Sequence, residues 1–130
     1  MAFQPIVDCS QRTLFGYEAL VRGLNNESAH SVIARVNDSN RYRFDQLCRI
    51  KAIALAARLG MKGMLSINFL PNAVYRPERC IRTTLQAARE HNFPIEQIMF
   101  ELTEVEQLLD NQHIRGIVDH YQALGFKTAI

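Results

Sequence analysis

Oxygen-bearing side chains interrupt three otherwise apolar segments of the chain. In the segment from Leu14 to Arg22, period-two alternation puts Gly16, Glu18, Leu20 and Arg22 on one side and Phe15, Tyr17, Ala19 and Val21 on the other. Ser66 and Asn68 share a side of the segment Met64 to Phe69, and Met99 and Glu101 share a side of Ile98 to Leu102. Parallel strands covered by helices are ordinarily apolar throughout. A carboxylate buried among them is costly unless a cation or hydrogen-bond donors compensate it. Two carboxylates and an amide oxygen meeting at one rim would form a hard, all-oxygen site, suited to Mg²⁺ or Mn²⁺ rather than to zinc.

Each of these residues also has a plainer reading. Glu18 can pair with Arg22 across one repeat of a strand, and Asn68, just before Phe69-Leu70-Pro71, can be a turn former. Glu101 and Glu104 can belong to a helix start with Thr103 as N-cap, which accounts for Glu104 better than for Glu101 inside its strand. His30, His91, His113 and His120 show no ligand spacing. Cys9, Cys48 and Cys80 form no CxxC pair, so neither a disulfide framework nor a zinc site is indicated, and a reducing cytoplasm is the expected location.

The elements that must position these groups follow from pattern. Phe3 to Val7 reads as a strand, with Pro5 marking an edge or bulge, and Leu14 to Arg22 as a second strand. Ala29, Val32, Ile33 and Val36 sit at helical spacing. A longer helix from about Phe44 to Leu59 is expected to bury Phe44, Leu47, Cys48, Leu55 and Leu59, with Gly60 as its stop. The strand Met64 to Phe69 halts at Pro71. A helix from Pro77 turns Ile81, Leu85 and Ala88 inward, and the strand Ile98 to Leu102 follows Pro94. A helical stretch from Glu104, broken near Asp110-Asn111, resumes with Ile114, Ile117, Val118, Tyr121 and Leu124, and Phe126 to Ile130 starts another strand. Regular alternation after the opening pair predicts a mostly parallel sheet flanked by helices. An eightfold barrel takes about 250 residues, so this length supplies roughly half of one. A small open α/β sheet is the alternative.

The 130 residues, 48% hydrophobic and 22% charged, suit one soluble globular domain. No apolar run approaches the roughly 18 residues of a membrane span, and the first residues lack the pattern of a signal peptide. The net charge of +2 hides an asymmetry: residues 41–89 carry ten Lys and Arg against Asp45 and Glu78. These basic residues lie along helical segments without interleaved aromatics, so solvated outer faces are expected and duplex nucleic acid is not an expected partner. No GxGxxG or Walker-type loop is present.

Four motifs in register add a family reading. Phe3-Gln4-Pro5-Ile6-Val7, the run Gly16-Tyr17-Glu18-Ala19-Leu20-Val21-Arg22-Gly23, Ser66-Ile67-Asn68 and Phe100-Glu101-Leu102-Thr103-Glu104 closely resemble, in order, the motifs of the EAL domain family, the bacterial phosphodiesterases of cyclic di-GMP. The resemblance implies a modified TIM barrel that binds two divalent metals, Mg²⁺ or Mn²⁺, and opens the cyclic dinucleotide to its linear form. It implies that Glu18, Asn68 and Glu101 are metal ligands, that Arg22 holds a substrate phosphate, as suits a guanidinium fork, and that Gln4 and Leu20 touch substrate. Glu104 would support the structure of the site's loop. The family continues from a strand like Phe126-Lys127-Thr128-Ala129-Ile130 into an Asp-Asp-Phe-Gly motif with further ligands. Residues 1–130 are therefore expected to be a single EAL-type domain cut before that motif, inactive alone and prone to associate through unpaired strand edges. A homodimer of the intact domain and an N-terminal sensor domain are further expectations of the resemblance. A non-catalytic cyclic di-GMP receptor or protein-interaction module on the same fold is the competing function.

Overall fold

The computed structural model describes residues 1–102 and 111–129. Five strands form one sheet in the order β1-β2-β3-β4-β5. Strand β1 (Ala2–Asp8) runs antiparallel to β2 (Thr13–Leu20), and β3 (Met64–Phe69), β4 (Ile98–Leu102) and β5 (Lys127–Ala129) follow parallel to β2. The helices are α1 (Ala29–Ile33), α2 (Arg41–Arg58), α3 (Pro77–Cys80), α4 (Arg82–Glu90) and α5 (Asn111–Ala123), with 3-10 turns at Pro71–Ala73 and Ile95–Gln97. This is the expected half of a βα barrel. No described helix is long and apolar enough to cross a membrane.

Pro5 sits where a missing N–H is harmless, on an edge strand, and the β1/β2 register shifts one step beyond it, between Ile6 and Val7. The connecting turn is tied by Asp8, whose Oδ1 accepts from the Ser10 amide at 2.9 Å, the Ser10 hydroxyl at 2.6 Å and the Gln11 amide at 3.1 Å. These donors, the Ser10 hydroxyl foremost, hold the Asp8 pKa below the usual carboxylate value. Gly16 faces Met64 at the start of the parallel pairing, and a Cβ there would lie 2.1 Å from the Met64 carbonyl oxygen. Only glycine permits β2 to approach β3 so closely.

One face of the sheet carries the core. Ala19, Leu65, Ile67, Phe69, Ile98, Phe100 and Leu102 are buried there against Ala52, Ile53 and Ala56 of α2, Ala87 and Ala88 of α4, and Ile117 and Tyr121 of α5. Phe100 is its hub, with ring centroids 5.8 Å from Phe69, 4.9 Å from Tyr121 and 5.3 Å from Phe126. Burial of each such ring contributes about 2–3 kcal/mol.

The structure corrects two expectations about the helices. The first ends as an α-helix at Ile33, before Val36. Helix α2 is rotated from its anticipated stripe: Leu47 and Leu59 are 54% and 61% exposed, whereas Asp45, Gln46 and Arg49 are buried with Ala52, Ile53 and Ala56. Small alanines let the helix pack close to the sheet, and the polar trio finds partners inside, so hydrophobicity alone misplaces the buried face. Arg49, expected on a solvated face with the other basic residues, lies wholly in the core. The expected helix stop at Gly60 is present, with φ +62°. The anticipated helix start at Glu104 and its break at Asp110 fall outside the described residues.

Candidate functional site

The opposite face of the sheet gathers the oxygen-bearing groups. Strand pairing sets Gln4 opposite Glu18, Glu18 opposite Ser66, Asn68 opposite Glu101, and Glu101 opposite Ala129. Alternation then turns Glu18, Ser66, Asn68 and Glu101 to the same side, away from the helices. Asn68 Nδ2 donates to Glu18 Oε1 at 2.7 Å, and Ser66 Oγ donates to Glu101 Oε2 at 2.6 Å. Glu18, Asn68 and Glu101 are half-buried, and Ser66 is fully buried. Each carboxylate thus has one neutral donor on one oxygen. That partial compensation orients the carboxylates without cancelling their charge.

The donor set fits a hard divalent cation. With its Nδ2 engaged by Glu18, the Asn68 amide keeps an oxygen, and each carboxylate keeps one oxygen outside these two hydrogen bonds. Among the described residues no three His, Cys, Asp or Glu side chains converge on one point. One or two carboxylates, completed by water and substrate oxygens, is the usual protein share of a magnesium-type site.

The remaining candidates lie around this center with less contact. Gln4 is exposed on the edge strand beside Glu18. Leu20 closes β2 and lines, with Glu18 and Asn68, a cavity of about 190 Å³ that also touches Phe44, Cys48 and Ile67. Arg22 lies just past the end of β2, where its Nη1 donates to the Val21 carbonyl at 2.8 Å rather than to Glu18. The strand-repeat pairing of Glu18 with Arg22 is therefore not formed. Glu104 lies outside the described residues. Asn68 is inside β3 and bonded to a carboxylate, not placed in a turn.

Sequence reading missed what lies behind the site. Asp45 is 2% exposed and its Oδ1 accepts from the Leu70 amide at 3.0 Å, at the end of β3. Its Oδ2 pairs with Arg49 Nη2 at 2.8 Å and accepts from Gln46 Nε2 at 3.2 Å. Gln46 in turn accepts from the Thr83 hydroxyl through Oε1. Arg49 Nη1 donates to the Tyr121 hydroxyl at 2.9 Å, and its guanidinium carbon lies 4.8 Å from the Phe100 ring center and 5.5 Å from that of Phe69. Burial pushes the Asp45 carboxyl above the ordinary range, against the pull of Arg49 and the Leu70 amide. Burial also works against the Arg49 charge, but Asp45 and Tyr121 outweigh it and raise the guanidinium pKa. The i, i+4 spacing of Asp45 and Arg49 was the available signal.

A half barrel whose polar face presents carboxylates and an amide at the strands' carboxyl ends belongs to the class of βα-barrel domains that build their sites at that rim. The family is specific. The family model described as "EAL domain" matches residues 1–130, and the chain belongs to the EAL domain family. It is similar to a standalone EAL protein from Vibrio cholerae O395 solved in its c-di-GMP-bound form, at 69% identity and a TM-score of 0.94, covering 100% of this chain and 55% of that one. It is also similar to Klebsiella pneumoniae BlrP1 in a manganese and cyclic di-GMP complex, at 28% identity and a TM-score of 0.84, over 98% of this chain and 33% of that one. BluF of Escherichia coli, a blue light- and temperature-regulated antirepressor, is 31% identical over 99% of this chain and 32% of its own length. The chain thus spans about half of the Vibrio protein and about a third of the other two.

Proposed function

We propose that residues 1–130 form part of one EAL domain that hydrolyzes cyclic di-GMP to the linear dinucleotide with the help of divalent cations. One observation carries the reading: Glu18 and Asn68 are joined by a 2.7 Å hydrogen bond, and Glu101 is the register partner of Asn68 on the next strand. That arrangement is poorly explained by stability alone, since apolar residues would cover the sheet at less cost. Complexes of the Vibrio and Klebsiella relatives with cyclic di-GMP, one with manganese, support substrate and metal alike.

Glu18, Asn68 and Glu101 hold the cation in this reading, and Ser66 fixes the rotamer of Glu101. The three ligand residues would hold a divalent cation, Mg²⁺ or Mn²⁺ being equivalent on donor chemistry, which when bound would supply polarization of a phosphate oxygen and a lowered pKa of water. Arg22 swings from the Val21 carbonyl to a substrate phosphate, which its planar fork matches. Gln4 and Leu20 flank the dinucleotide, and Glu104 keeps the supporting role that the family motif implies. In the reaction a water oxygen bonds to phosphorus and gives up a proton, one ester P–O bond breaks, and the departing oxygen takes up a proton, so that one water is consumed with no net change in protons.

The test is incubation of the full-length protein with cyclic di-GMP and Mn²⁺, with Glu18→Gln as control. Linear product that disappears with the variant supports the hydrolase. Tight binding without turnover supports instead a receptor, the reading favored by the likeness to an antirepressor.

A further inference from the structure

We propose that Asp45 is a positioning residue for the site, holding the carboxyl end of β3 from behind the sheet, with Arg49 and Tyr121 fixing Asp45 in turn. The proposal rests on the metal-site reading above and extends it to residues on the opposite face. Leu70 is two residues past Asn68, and its amide lies beyond the last residue of β3, where the strand ladder no longer holds the backbone. Asp45, on a helix 25 residues earlier, takes that amide at 3.0 Å. Arg49 anchors the other carboxylate oxygen at 2.8 Å while donating to Tyr121 on α5.

The same guanidinium lies against Phe69 and Phe100, the residues adjacent in sequence to Asn68 and Glu101. A buried charge cluster therefore touches, from the core side, β3 and β4, two of the three strands whose polar side offers ligands. Its cost is not what stability requires: Leu47 on the same helix and Leu59 at its C-cap are exposed while Asp45, Gln46 and Arg49 are buried. Well-packed apolar residues generally serve stability as well as buried ion pairs, whose best-attested return is a unique arrangement of the elements they join. Here the arrangement joined is α2, the end of β3, β4 and α5.

Two double variants of the full-length protein separate positioning from mere stability. Asp45→Asn with Arg49→Met removes both charges but keeps an oxygen for the Leu70 amide, whereas Asp45→Ala with Arg49→Met removes that oxygen too. Relative to the Asn variant, the Ala variant should exchange its Leu70 amide proton faster and bind Mn²⁺ about tenfold more weakly, as loss of a supporting hydrogen bond around a metal site does. A purely structural role would lower the melting temperature and leave Mn²⁺ affinity equal in both, and equal affinity overturns the proposal. Should both doubles fail to fold, Tyr121→Phe decides: it should weaken Mn²⁺ binding measurably, and unchanged affinity overturns the proposal. If wild-type Mn²⁺ binding proves independent of Glu18, the metal reading falls. Positioning is then read from the side-chain amide resonances of Asn68, which should move in the Ala double and not in the Asn double; unmoved resonances overturn it.

Discussion

Replacing Asn68 with aspartate tests the geometry of the site without assuming turnover. In the wild type, the Asn68 amide nitrogen donates to Glu18 at 2.7 Å. Asn68→Asp would put a further carboxylate in place of that donor, opposite Glu101 in the strand register. Loss of a hydrogen bond to a charged group costs about 2 kcal/mol. Two like charges about 4 Å apart repel by about 4 kcal/mol at an effective dielectric constant of 20, and partial exposure roughly halves this. The expected destabilization in EDTA at pH 7 is thus about 4 kcal/mol, or a melting temperature lower by about 12 °C. Asn68→Leu loses the hydrogen bond but adds no charge, so it should fall by about half as much. Saturating Mn²⁺ should raise the melting temperature of Asn68→Asp more than it raises that of the wild type. Differential scanning fluorimetry at several metal concentrations reads all of these. If Asn68→Asp melts within about 2 °C of the wild type in EDTA at neutral pH, well inside the shift expected for lost bond and added charge, the three side chains do not share one electrostatic site and the reasoning fails.

Gly16→Ala should destabilize by roughly 2–4 kcal/mol, because its Cβ would meet the backbone oxygen of Met64 at 2.1 Å; urea unfolding measures the loss, and a wild-type midpoint would contradict the close approach. Ser66→Ala should leave the fold intact but weaken Mn²⁺ binding by about tenfold, since Glu101 loses its 2.6 Å donor, as isothermal titration would show. Burial pushes the Cys48 thiol from its ordinary 9.0 up to about 11. The folded thiol therefore stays protonated where the unfolded one ionizes, and the stability it contributes, complete below about pH 9, is lost as pH rises toward about 11. Wild type should lose roughly 1–3 kcal/mol more than Cys48→Ala over that interval, and parallel curves from denaturation at several pH values would refute this. At about pH 8, iodoacetamide should label exposed Cys9 well before Cys48 or buried Cys80, with peptide mass spectrometry as the measure.

Much of the sheet was legible because its signals are local. Alternation within Leu14 to Arg22, Met64 to Phe69 and Ile98 to Leu102 sorted polar from core side chains, and the structure places Glu18, Asn68 and Glu101 on one face as that sorting required. Pro5 announced an edge strand because a missing N–H is tolerated there. Helix α2 was legible in extent but not in orientation. Large side chains dominate any reading by hydrophobicity, so Leu47 and Leu59 drew attention, while Ala52, Ala56 and the Asp45–Arg49 pair form the actual contact. A charge buried against its partner and three aromatic rings looks, in sequence, like any solvated charge. The resting partner of Arg22 was likewise invisible, because a donor can turn to its neighbor's carbonyl for reasons of loop path that no pattern encodes.

In β3 and β4 a polar residue of the candidate site stands beside an aromatic ring, with Asn68 next to Phe69 and Glu101 next to Phe100. A slip of either strand by one residue would exchange the two kinds, forcing a benzyl group among the polar side chains and an amide (β3) or a carboxylate (β4) among rings. Intermediate settings are as bad, since neither side of the sheet tolerates half a step. The spacing of the oxygen donors is therefore all-or-none: in any folded copy of this domain they stand either at their proper separation or not together at all.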